Sequence, residues 1–140
     1  MPKSNPLLIS ALRETATRLS EGVKYEWGHM GRCNCGHLVQ TIAKLSDVEI
    51  VKAVEFELNE WTKHARDYCT TTNSRASMIF DKLKSYGFSY EDVIKLEYLS
   101  DRSVLLRIPG EQPLYLQNNK VEDVILYMDT LADMLEDPVF

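Results

Sequence analysis

Residues 5–22 read "NPLLISALRETATRLSEG", and the fold expectation starts there. Asn5 followed by Pro6 is a helix N-cap with proline at the first helical position. The Asn side chain accepts from an N–H of the opening turn, and proline brings no N–H that would go unpaired. Ile9, Leu12, Ala16, Leu19 and Val23 recur at steps of three and four, the spacing that lines one face of an α-helix. Gly22 is the stop signal. A helix with such a stripe must bury it against something, and the rest of the chain offers more helices.

The same signals repeat downstream. A short helix opens at Asn34, with Leu38, Ile42 and Leu45 on one side. Ser46 with Glu49 three residues later is a capping box for a long helix over 47–68, whose seam is Val51, Val54, Leu58, Trp61, Ala65 and Tyr68. A turn cluster at 70–74 precedes a helix from 75 with Ala76, Ile79, Phe80 and Leu83 inward, ended by Gly87. Ser89 with Asp92 opens another, carrying Val93, Leu96 and Leu99. Residues 100–118 read less clearly. "SVLLRI" suits a helical turn or a strand, Pro109–Gly110 makes a turn, and "LYLQ" alternates as a short strand does. A last helix starts near Asn119 and buries Val121, Val124, Met128, Leu131 and Leu135. The expected architecture is mainly α. It is a compact single-domain bundle over residues 1–140, of about six helices with at most one short β-hairpin near 104–117.

Composition narrows the partner classes. The 140 residues are 44% hydrophobic and 26% charged, with a formal net charge of −5, ordinary for a soluble globular chain. No basic run is present, so neither nucleic acid nor an anionic membrane is an expected partner. No segment approaches the roughly 18 apolar residues of a membrane span. Arg13 and Glu14 interrupt the N-terminal apolar stretch, so a signal peptide is not expected. Three cysteines do not form a disulfide scaffold. The expected setting is cytoplasmic, with reduced thiols.

Chemistry concentrates in the loop over 28–37, within "HMGRCNCGHL". His29, Cys33, Cys35 and His37 give H-x3-C-x-C-x-H, four side chains of the types that bind zinc and other transition metals. Gly28, Gly31 and Gly36 let the backbone fold tightly around them. The single residue between the cysteines disfavours chelation by both thiolates, because zinc fingers use two to four. An outside ligand eases the geometry. On the long helix, Glu57, Glu60, His64 and Asp67 form one stripe beside the seam. Glu60 and His64, at i and i+4, are the candidates to complete a shell, and Cys69 ends the same segment.

Three readings of the loop stand. It holds zinc or a related metal through His29, Cys33, Cys35 and His37, with His64 and Glu60 as outside ligands. It presents a reactive thiol, Cys35, activated by the electropositive start of a helix at Asn34 with Arg32 and the histidines nearby. Or the cysteines are small buried apolar groups in a structural loop, and the chain is a non-catalytic helical interaction module that self-associates as a homo-oligomer through an exposed apolar face. Trp27, in "YEW", is expected to anchor the loop by burial. The glycines match neither G-x-G-x-x-G nor a P-loop, and no Ser–His–Asp signature is present. Neither enzymatic activity nor a small-molecule substrate follows from these residues.

Overall fold

The computed structural model describes residues 2–27, 31–54, 75–110 and 115–137, with side chains described throughout except at 51–54, 75–78 and 80. Seven helices lie among them: α1 Pro6–Ser20, α2 Asn34–Ala43, α3 Asp47–Val54, α4 Arg75–Ser85, α5 Tyr90–Tyr98, α6 Arg102–Arg107 and α7 Val121–Glu136. The fold is mainly helical, as expected, and no strand occurs among the described residues. No helix there is long and apolar enough to cross a membrane.

The caps form where the sequence placed them. Asn5 accepts from the Leu7 N–H at 2.9 Å, and Pro6 follows as the first helical residue. Ser46 and Glu49 exchange both capping-box bonds, at 3.0 and 3.1 Å. Ser89 and Asp92 do the same at the start of α5. Gly22 and Gly87 take positive φ, at 90° and 85°, where a side chain would be strained.

Helix α1 lies along α7. Arg13 spans their exposed edge to Asp133 and Glu136, each at 2.9 Å, and the Ser4 hydroxyl donates to Leu135 O at 2.6 Å. The buried stripe of α1 is Leu8, Ala11, Leu12, Thr15, Ala16 and Leu19. Ile9 and Val23, expected inside, are half-buried against its margin. Helix α2 packs on α1, α3, α4 and α5, so one apolar core joins residues of all seven helices.

The stretch read as either helical turn or strand takes one of those forms. Residues 102–107 are helix α6 and not the first arm of a hairpin: Asp101 accepts from Ser103 N at 3.0 Å, and Val104 turns into the core. Residues 115–117 carry no strand pairing, and 111–114 lie outside the described residues. The last helix begins at Val121, two residues after Asn119, and Lys120 supplies no side-chain cap. Of the long helix expected over 47–68, α3 forms the first part, and 55–68 lie outside the described residues.

Candidate functional site

The loop leading into α2 is built around close backbone contacts. Gly31 lies against Asp47; a Cβ there would fall 2.7 Å from Asp47 Cα and closer still to its carbonyl oxygen, so no side chain fits. Arg32 Nε donates to Asp47 Oδ2 at 2.7 Å. Gln40 Nε2 reaches back to Gly31 O at 2.5 Å. The chain thus enters α2 with a fixed direction, and Cys33 becomes its N-cap. The Cys33 Sγ accepts from Gly36 N at 3.4 Å.

The start of α2 and the end of α5 cap each other. The last carbonyls of a helix have no partner within it, and neither do its first N–H groups. Asn34, fully buried, directs Nδ2 at Leu96 O (3.2 Å) and Glu97 O (3.0 Å) in the last turn of α5, and at Asn118 O (3.1 Å). Its Oδ1 accepts from the Tyr25 hydroxyl at 2.5 Å. In return, the Glu97 carboxylate on α5 accepts from Cys35 N, in the first turn of α2, at 3.0 Å. A carboxylate there also complements the positive end of the α2 dipole. Trp27 Nε1 donates to the same Glu97 carbonyl at 3.3 Å.

The two thiols face this junction. Cys35 Sγ donates to Val93 O at 3.2 Å, and the Glu97 carboxylate lies within hydrogen-bonding range of both sulfurs. Neither thiol forms a disulfide. Burial first, and Glu97 second, push both thiols well above the ordinary cysteine range. The helix start does favour a thiolate, but the electropositive end is already met by Glu97, and desolvation wins.

His37 is equally enclosed. Arg18 brings an N–H to its Nδ1 at 3.4 Å, so Nδ1 is the acceptor and Nε2–H donates to Lys24 O at 2.8 Å. The ring is therefore a neutral imidazole with both nitrogens engaged, stacked on Tyr25 at 6.1 Å. Burial lowers its pKa below the ordinary value, and the Arg18 charge acts in the same direction.

Of the predicted site residues, the structure brings Cys33, Cys35 and His37 to one helix end. His29, Glu60 and His64 lie outside the described residues, as do Glu57, Asp67 and Cys69. Among the described residues no group of three or more His, Cys, Asp or Glu side chains converges to hold a metal. Trp27 is not the buried anchor expected from sequence. It is 38% exposed and rests against Tyr98, itself 39% exposed, with ring centres 6.3 Å apart. Asn34 reads from sequence only as a helix start, and Tyr25, Arg18 and Glu97 were not among the predicted site residues. One signal for Glu97 was available: it follows Val93 by four residues and so shares that residue's inward face.

No known family model, no curated protein and no solved structure matches this chain.

Proposed function

We propose that the chain is a non-catalytic helical interaction module in which the Cys/His loop is structural. The observation that carries this reading is the reciprocal cap. Asn34, the Cys35 N–H and Glu97 satisfy one another's helix ends, and both nitrogens of His37 are taken by Lys24 O and Arg18. No buried side-chain nitrogen or oxygen among the described residues lacks a partner. A site awaiting a ligand or substrate usually keeps an unsatisfied polar group or a strongly activated one. The exposed Trp27–Tyr98 pair beside the loop supplies the contact surface, and aromatic residues of this kind dominate protein interfaces. The partner in this reading is a second copy of the chain, since a two-fold contact needs only one such patch.

One observation favours a second reading, a zinc centre. Cys33 and Cys35 both sit at the start of α2 without a disulfide between them, and they would then bind with His29, His64 or Glu60 as further ligands. One preparation tests both readings. Protein purified without added metal is assayed for zinc, for native-state thiol alkylation, and for mass against concentration by sedimentation. Metal-free protein with protected thiols, associating in a manner lost on Tyr98→Ser, supports the module. Stoichiometric zinc that disappears in Cys33→Ser establishes the metal centre instead. Rapid alkylation of Cys35 in folded, metal-free protein, or a monomer at every concentration, overturns the module.

A further inference from the structure

The opposite end of α2 is built differently. There a cleft of about 260 Å³ opens between α1 and the last turn of α2, lined by Glu14, Arg18, Gln40, Thr41, Lys44 and Leu45. Arg18 is half-buried in its wall. Its terminal nitrogens donate to Thr41 Oγ1 (2.8 Å), Gln40 Oε1 (2.8 Å) and His37 O (3.3 Å), and approach His37 Nδ1 (3.4 Å). Each of these acceptors is uncharged. The guanidinium is thus held in one orientation, yet no carboxylate among the described residues pairs with it, and no described bond uses its Nε–H.

A half-buried cation without a counter-ion is costly unless something offsets it. The C-terminal dipoles of α1 and α2 offset part of the charge. Lys44, exposed at the C-cap of α2, then adds a second positive charge to the same cleft. Glu14 contributes the only carboxylate of the lining. Two cations and one anion around a small cleft disfavour a multiply charged anion, which Glu14 would repel. They suit a molecule carrying one charge of each sign. The volume corresponds to several waters of roughly 30 Å³ each, the scale of a free amino acid.

We propose that this cleft binds a small zwitterion, its carboxylate held by the Nε–H and positive charge of Arg18 together with Lys44, and its ammonium by Glu14. The site shares Arg18 with the His37 contacts but needs neither the Asn34–Glu97 cap nor self-association.

The test is an amide-resolved NMR titration of the intact protein with γ-aminobutyrate, acetate and n-butylamine as probes. Saturable shifts confined to the residues of the cleft are expected for γ-aminobutyrate, with acetate and butylamine each about fivefold weaker or more, since each forms only one of the charge contacts. Lys44→Gln weakens γ-aminobutyrate and acetate alike, whereas Glu14→Gln weakens γ-aminobutyrate and leaves acetate unchanged or stronger. Both side chains are exposed, so neither variant endangers the fold. No saturable shift with any probe, shifts that map elsewhere, or equal binding of acetate and γ-aminobutyrate would overturn the proposal.

Discussion

The two ends of α2 solve the same electrostatic problem in opposite ways. At its start, the helix faces a carboxylate from α5, and the loop repays α5 with the Asn34 amide. Among the described residues there, the Glu97 carboxylate, the Asn34 amide and the N–H groups of Cys35, Gly36 and His37 all meet internal partners. At its end, Arg18 is oriented by neutral acceptors and Lys44 stands at the surface. The first arrangement gains rigidity and hides its chemistry; the second keeps charge available. A dense cluster of reactive residue types is therefore a poor guide to reactivity, because burial and pairing decide what such residues can do.

The largest expected effect breaks the sealed end. Asn34→Ala leaves the carbonyls of Leu96, Glu97 and Asn118 without their amide donor and removes the Tyr25 acceptor. Each carbonyl keeps a second donor, Leu99 N, Trp27 Nε1 and the Tyr25 hydroxyl in turn, so losing the buried amide is expected to cost about 1–3 kcal/mol of unfolding free energy, measured by urea denaturation. Asn34→Asp keeps the shape but supplies no donor, and should cost a similar amount. A loss under about 1 kcal/mol for both variants would show that water or relaxation replaces the cap, and the contrast between the two ends would fail.

Glu97→Gln is gentler, because an amide oxygen can still accept from Cys35 N. What goes is the negative charge at the helix start, worth about 1–2 kcal/mol in a buried setting. The same change removes one cause of the raised thiols. Thiolate formation, followed by ultraviolet absorbance, should therefore begin at lower pH in the variant. Unchanged thiol titration would mean that burial alone sets it.

Titration sharpens the comparison with a predicted stability window. His37 has a folded pKa below its ordinary 6.5, so below that pH the unfolded chain takes up the proton first. Stability is then full above 6.5 and declines as pH falls toward the folded value. Cys33 and Cys35 lie above their ordinary 9.0, so the unfolded chain loses those protons first. Stability declines again as pH rises beyond 9.0, and the raised Tyr25 and Tyr127 extend that decline. The optimum should lie between the two limbs. His37→Gln should flatten the acid limb and Cys35→Ala the alkaline one; a wild-type profile flat from about pH 5 to 7 would remove His37 from this account.

How much of this was legible beforehand follows from distance along the chain. Asn5–Pro6, Ser46–Glu49 and Ser89–Asp92 are local signals, each complete within a few residues, and all three form as read. "SVLLRI" was ambiguous because six residues, four of them apolar, carry neither period clearly. Asp101 as its cap decided for the helix. The loop was less legible, for a different reason. Its cysteines and histidine were visible, but the partners that quench them, Val93, Glu97, Arg18 and Lys24, come from other elements. Helix-start chemistry offered an activated Cys35 as one of three readings of residues 29–37. Burial first, and then the Glu97 carboxylate sixty-two positions away, push that thiol up, and no local pattern encodes such a meeting.

The smallest effect separates fold from binding at the open end. Lys44 closes α2 in the left-handed region, with φ 58°, which an L-residue enters at a cost and glycine enters freely. Glycine is the usual residue at such a helix end. Lys44→Gly should therefore stabilise the protein, by about 0.5–1 kcal/mol in thermal or urea unfolding. The same substitution removes one of the two cations from the cleft and should weaken γ-aminobutyrate about as much as Lys44→Gln does. A more stable protein that binds less well means that the lysine is held in a strained conformation for the charge it brings to the cleft. If Lys44→Gly instead lowers stability, the side chain supports the helix end directly, and the two ends of α2 differ less than the geometry implies.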